Sequence, residues 1–288
     1  MENKKKNIIL VPTDFSDVAG HALDHAIAVA KTFNNEIAVM HVIEESVLGN
    51  IFTKSSYVEM VKESIQNKLN GIALKIESMG IKAYTHIRTG RIYKTIVETA
   101  DELGCDSVIM GTHGASGIEK IIGSNAARVI NYANVPVVVI KEKTNKLNYQ
   151  NIVFPLDLTI ESKQKVEWAI HLAKYYKSTI HIATFKANDE FLANRVNAQL
   201  VQVEKLFDEA NVKYTSKILD ESGNYAKQTL DYADEINADL IMIMTQQEKG
   251  VSEFFLGSYA QQIVNRASSC PVMAINPRET AFVADYMA

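Results

Sequence analysis

The stretch Ile9-Leu10-Val11-Pro12-Thr13-Asp14 recurs 143 residues later as Ile152-Val153-Phe154-Pro155-Leu156-Asp157. An aliphatic run stopped by Pro-x-Asp reads as a strand buried on both faces, followed by a turn. Its recurrence points to two copies of one unit. Working outward at the same offset, Ala26-Ile27 and Ala30-Lys31 match Ala169-Ile170 and Ala173-Lys174. Farther on, Ala100-Asp101-Glu102 matches Ala233-Asp234-Glu235, Asp106 matches Asp239, and Gly123-Ser124 matches Gly257-Ser258. Each copy is about 140 residues long, a usual size for one domain. The expected domains are 1–143 and 150–288, with the polar segment Glu142–Gln150 as the linker.

Within copy one, strand-like and helix-like patterns alternate. Strands are expected at Asn7–Pro12, Glu36–Val42, Ile81–Arg88, Asp106–Met110 and Val135–Ile140. Helices are expected at Val18–Phe33, Ser56–Met79, Ile92–Leu103 and Ser124–Tyr132, where apolar residues recur at helical spacing. Copy two repeats the order. Such alternation implies an α/β fold, here two tandem doubly wound domains with parallel sheets and helices on both faces. Val135–Ile140 and Val272–Asn276 close their copies and are expected at sheet edges, where an apolar strand needs cover. Antiparallel pairing of these two edges is the simplest cover.

Composition narrows the function classes. The 288 residues are 47% hydrophobic and 22% charged, with 5 Pro and 13 Gly, an ordinary globular balance. The net charge of −4 argues against a nucleic-acid binder. No apolar run is long enough to span a bilayer. The N-terminus carries no signal-peptide pattern. Cys105 and Cys270 form neither a disulfide framework nor a metal cluster. The expectation is a soluble cytoplasmic protein with no membrane and no nucleic-acid partner.

In open parallel sheets, ligands bind beyond the carboxyl ends of the strands, where strand order reverses. Pro12–Asp14, His41-Val42 and Met110–Ser124 of copy one converge there. Gly111, Gly114 and Gly117 let backbone amides approach a phosphate. Gly123-Ser124 opens a helix whose unbonded amides and positive dipole end favour an anion. Simpler readings stand beside this one. The glycines can be turn residues, and Asp14, Ser124 and Ser258 can be helix caps. His21 and His25 have the spacing of a zinc pair, yet no third ligand accompanies them. Tyr225 and Tyr232 read as packing residues of one helix, and Lys120 and Arg128 as a solvated helix face.

A first-strand Pro-x-Asp, His-Val at the end of strand two, and Met-Gly-x-His-Gly followed by Gly-Ser together resemble the universal stress protein family. The resemblance covers about 6–142 and 150–277. It implies five-stranded parallel sheets in the order 3-2-1-4-5. It also implies ATP or a related adenine nucleotide as ligand of copy one, with Mg²⁺ as the ion such a nucleotide brings. By the same resemblance, Pro12, Asp14 and the Val42 backbone hold the adenine and ribose end. Met110, Gly111, Gly114, Gly123, Ser124 and Asn125 hold the ribose and phosphates. Family dimers imply a homodimer or an internal pseudo-dimer.

This chain departs from the family pattern Gly-x2-Gly-x9-Gly-(Ser/Thr) in two places. Eight residues separate Gly114 from Gly123 where the family has nine. In copy two, Met244 and Gln247 replace the two glycines, and Phe185 stands at the position of Val42. Copy two therefore reads as structural or regulatory. Three functional classes follow: a nucleotide-binding regulator acting on a protein partner, a slow ATPase, and a ligand-free interaction scaffold. The P-loop motif Gly-x-x-x-x-Gly-Lys-(Ser/Thr) is absent, as are His-x-Gly-His and Ser-Gly-Gly-x-Asp-Ser. The first class is preferred, with no catalytic residue assigned.

Overall fold

The structure, a computed structural model, describes residues 7–44, 55–112, 122–156, 162–187, 189–220, 224–245, 258–267 and 270–277. Chain contacts divide it into two units, 1–143 and 144–288. In the first unit the elements are β1 Ile8–Pro12, α1 Asp17–Phe33, β2 Glu36–Glu44, α2 Ser55–Glu77, β3 Ala83–Gly90, α3 Ile92–Leu103, β4 Ser107–Gly111, α4 Ser124–Tyr132 and β5 Val137–Ile140. In the second they are β6 Asn151–Pro155, α5 Ser162–Tyr176, β7 Thr179–Phe185, α6 Glu190–Glu209, β8 Lys213–Leu219, α7 Tyr225–Glu235, β9 Leu240–Met244, α8 Ser258–Arg266 and β10 Val272–Ile275.

The strands of the first unit run in the order β3-β2-β1-β4-β5, all parallel. Those of the second run β8-β7-β6-β9-β10, again all parallel. Both follow the expected 3-2-1-4-5 order. Right-handed crossovers place α1 and α2 on one face of the first sheet and α3 and α4 on the other. The packing agrees: α1 lies on β1, β4 and β5, and α3 lies against α4. Residues Ile8–Val11, Ile37–Met40 and Val137–Ile140 are buried, because helices cover both faces.

Ser16 caps α1, its hydroxyl accepting from the Ala19 amide at 3.3 Å. α1 turns Ala22, Leu23, Ala26, Ile27 and Ala30 inward and ends at Asn34 in the left-handed region, φ 55°. The small alanines bring the helix close to the sheet. Strand two runs past the expected Val42 to Glu44, because β3 continues beside it and pairs Val42 with Arg88 and Glu44 with Gly90.

Candidate functional site

β1 and β4 are neighbours whose connections leave on opposite faces, so a crevice opens at their carboxyl ends. At its floor the Thr13 amide donates to the Met40 carbonyl at 2.8 Å, the last bond between β1 and β2. Along β2 the amide and carbonyl directions alternate. Glu36 donates to Asn7 and Met40 accepts from Thr13, both toward β1, while Ile37 donates to Lys82 toward β3. Val42 therefore turns its backbone amide and carbonyl toward the β1 side, beyond the point where β1 ends at Pro12. This is a sheet-edge hydrogen-bonding site inside a crevice.

Asp14 is exposed at the mouth, and its Oδ1 accepts from the Ser16 amide at 3.0 Å and the Ser16 hydroxyl at 2.6 Å. Asp14 thus does not cap α1 itself; it positions Ser16, which does. Between them Phe15 adopts φ 65°, an uncommon conformation for a residue with a side chain. Its amide donates to Thr13 Oγ1 at 3.0 Å, and its ring stacks on His41 at 4.9 Å. His41 Nδ1 donates to the Thr13 carbonyl at 2.7 Å, and Lys68 Nζ lies 5.0 Å from the Phe15 ring centre. This Phe15–His41–Lys68 stack was not anticipated from the sequence. The only signal was a histidine one residue before the end of the largely apolar expected strand Glu36–Val42, with an aromatic residue in the turn after the first strand.

Met110 is buried at the end of β4, next to Gly111. A Cβ at Gly111 would stand 2.8 Å from Val18 Cγ1 and 3.5 Å from the Ala19 amide nitrogen. Gly111 is therefore required by packing: it lets the first turn of α1 cross the end of β4. The next residue, Thr112, is buried and accepts the Gly123 amide at 2.7 Å, which ties the start of α4 to the end of β4. Gly123 occupies the N-cap position of α4 with no side-chain cap, and the first turn contains no acidic residue. Beyond the cap, Ser124 is exposed and Asn125 half-buried. The N-terminal amides of α4 lack intrahelical acceptors and present positive potential. Gly114 lies outside the described residues, as do Lys120, Asp157 and Gln247. The structure thus brings Pro12, Asp14, Met110, Gly111, Gly123, Ser124 and Asn125 to the carboxyl ends of β1 and β4, with Val42 on the adjacent strand β2.

The other candidates resolve differently. His25 is buried in α1, and burial lowers its pKa to about 4. Cys105 is buried, its thiol pushed up to about 12 by desolvation and by Asp106 and Asp101, so it is no nucleophile. Among the described residues no group of three metal-binding side chains exists. Arg128, expected on a solvated face, lies 5.1 Å from the Tyr93 ring, because α3 packs against α4 there.

Copy two keeps the backbone plan and alters its lining. The Leu156 amide donates to the Ala183 carbonyl at 2.7 Å, as Thr13 does to Met40. Yet Lys165, the counterpart of Ala22, is 1% exposed and donates to the Pro155 carbonyl beneath the crevice. Met244 stands where copy one has Gly111, and Phe185 where it has Val42.

The universal stress protein family model matches residues 6–141 and again 148–276. A universal stress protein of Methanocaldococcus jannaschii is 37% identical over 145 residues, 49% of this chain and 85% of that protein. A second from the same organism is 33% identical over 155 residues, 48% of this chain and 96% of that protein. A solved universal stress protein from Archaeoglobus fulgidus matches in fold with TM-score 0.78 over 95% of this chain and 100% of that one, at 24% identity. Two adjacent family matches, each on one doubly wound unit, settle the classification: the chain belongs to the universal stress protein family and carries two of its domains in tandem.

Proposed function

We propose that copy one binds ATP or a related adenine nucleotide and that the bound form regulates a protein partner during stress. One observation carries this reading. Among the described residues of copy one, the Val42 backbone edge beyond the end of β1, the small residue Gly111 and a helix start with no side-chain cap share one crevice. Val42 and Asp14 hold the adenine and ribose end. Gly111, Gly114, Gly123, Ser124 and Asn125 hold the phosphates, with any Mg²⁺ entering on the nucleotide. No side chain is assigned a catalytic step, and turnover is at most that of a slow ATPase. The same reading places the protein in the cytoplasm, as a homodimer or an internal pseudo-dimer. Light scattering separates those two by mass.

Mass spectrometry of ligand released from the denatured protein is the test. Co-purifying ATP or ADP supports the reading. Protein that emerges empty, and stays empty in calorimetric titration with adenosine, ADP and ATP, overturns it in favour of a ligand-free scaffold. The eight-residue spacing before Gly123 favours that second reading at the phosphate end. A charge-assisted phosphate contact is worth about 1.5–3 kcal/mol. Inserting one residue after Ile122 is therefore expected to raise the ATP-to-adenosine affinity ratio roughly ten- to a hundredfold. An unchanged ratio shows that the short loop is neutral.

A further inference from the structure

In copy two the matching crevice, past the ends of β6 and β9, is filled from within on its β7 side. α7 begins at Tyr225, and the Tyr225 hydroxyl lies 2.7 Å from the Ala183 carbonyl and 3.3 Å from the Leu156 carbonyl. Ala183 and Leu156 are the counterparts of Met40 and Thr13, so this hydroxyl sits where copy one opens beside Val42. The Tyr225 ring meets Phe185 edge-on at 5.5 Å and stacks on Tyr259 of α8 at 5.0 Å and 22°. Thr229 Oγ1 donates its one proton to the Tyr225 carbonyl at 2.9 Å. The Tyr259 hydroxyl, 3.1 Å from Thr229 Oγ1, is then the donor of that second bond. Both tyrosines are half-buried and belong to the crevice mouth rather than to the core.

Copy one has Ile92 and Asn125 at these two positions, each in the same place of its helix: the first residue of α3 and the second of α4. Isoleucine has no polar atom and too short a side chain to reach the strand-end carbonyls. The difference between the copies is thus a flat, hydrogen-bonding aromatic ring, held between two others, in the crevice that the second unit would offer a base. Stacking between aromatic planes and a donor on a carbonyl are interactions that a nucleobase makes.

We infer that Tyr225 is an internal substitute for a base: with Tyr259 as its cover, it keeps nucleosides out of copy two. This rests on the reading that the matching crevice of copy one takes adenine. Once the ring is removed, the crevice accepts a purine nucleoside and gains little from phosphates, because Met244 still stands in place of glycine at the end of β9. The experiment is calorimetric titration of the full chain with adenosine, in wild type, Tyr225→Ile and Tyr225→Ile/Tyr259→Asn, with thermal melting to establish folding. One site in wild type and two in the variants is expected. One site in every protein overturns the inference and leaves the reading of copy one intact. No site in wild type and one in the variants overturns the reading of copy one and upholds Tyr225 as the obstacle. No site in any overturns both. The reciprocal change Ile92→Tyr/Asn125→Tyr guards against a variant that fails to fold. It is expected to weaken adenosine at copy one at least tenfold, and undiminished affinity overturns the inference.

Discussion

Ala22 and Lys165 occupy the same place in the two copies: the inward face of the first helix, under the end of the first strand. Both are buried, at 0% and 1% exposure. One is the smallest side chain that fills a helix–sheet contact; the other carries an ammonium to the Pro155 carbonyl, 4.3 Å from the Phe154 ring centre. The backbones above them close with equivalent bonds, Thr13 to Met40 and Leu156 to Ala183. The fold tolerates opposite chemistry beneath the crevice while keeping its frame. The lining differs between the copies at a handful of positions, among them 22/165, 42/185, 92/225, 111/244 and 125/259.

Exchanging Ala22 and Lys165 between the copies has the largest expected effect. Ala22→Lys puts an ammonium into a site of copy one shaped for a methyl group. A buried charge lacking a built partner costs about 3–5 kcal/mol. Lys165→Ala leaves a cavity and a carbonyl without its donor, and costs about 2–4 kcal/mol. Denaturant midpoints check both. If Ala22→Lys melts like wild type, the two sites have the same capacity for charge and the contrast is superficial.

His25 of copy one and Trp168 of copy two hold the same position of their first helices, so only copy one titrates there. Burial lowers the His25 pKa from 6.5 to about 4. The unfolded chain then binds a proton more readily than the folded one between these values, so stability falls as pH drops from about 6.5 and levels off below about 4. The full loss is on the order of 3 kcal/mol. Comparing stability at pH 7 and pH 4.5 for wild type and His25→Gln checks it. An identical slope in both proteins assigns the acid sensitivity elsewhere.

At the crevice wall Gly111 of copy one corresponds to Met244 of copy two. With a Cβ 2.8 Å from Val18 Cγ1, Gly111→Ala forces α1 or Val18 to move and costs about 1–3 kcal/mol. Gly111→Ala/Val18→Ala recovers most of that loss. Without such recovery, the glycine is needed for something other than this contact.

The repeat, the element order and the parallel sheets were legible in the sequence because each rests on short-range signals: aliphatic runs, helical spacing and the recurrence of Pro-x-Asp. Strand ends were less so. Glu44 belongs to β2 only because Gly90 lies beside it, which no local pattern records. The candidate site was legible as a set of loop residues, and their local duties were not. Asp14 reads as a cap, yet it positions Ser16; Gly111 reads as a phosphate contact, yet Val18 demands it. The buried Lys165 follows from no local pattern, since lysine is rarely buried. Its alignment with Ala22 was the signal that could have exposed it. Tyr225 reads as packing because its role depends on the Ala183 and Leu156 carbonyls, 42 and 69 residues away in sequence.

The smallest expected difference lies at the ends of the first helices. α1 closes at Asn34 with φ 55°, and α5 is followed by Lys177 with φ 56°. The bonds that follow are equivalent: Asn35 donates to the Ala30 carbonyl at 3.0 Å and Ser178 to the Ala173 carbonyl at 3.1 Å. The geometry is one and the same; the residue is not. Left-handed backbone crowds Cβ against the carbonyl, and asparagine tolerates it better than lysine because its short side chain bonds locally. Lysine gains nothing from its charge that asparagine must replace, apart from a weak attraction to the helix carboxyl end of about 0.3–1 kcal/mol. The two effects oppose, and the conformational one is larger, roughly 1–2 kcal/mol for an ordinary residue. Lys177→Asn is therefore expected to stabilise copy two by about 0.5–1 kcal/mol, and Asn34→Lys to destabilise copy one by a similar amount. Chemical denaturation at low and high salt separates the contributions, since salt screens only the dipole attraction. A stabilising Asn34→Lys at low salt that vanishes at high salt would show that charge, not backbone conformation, decides this cap.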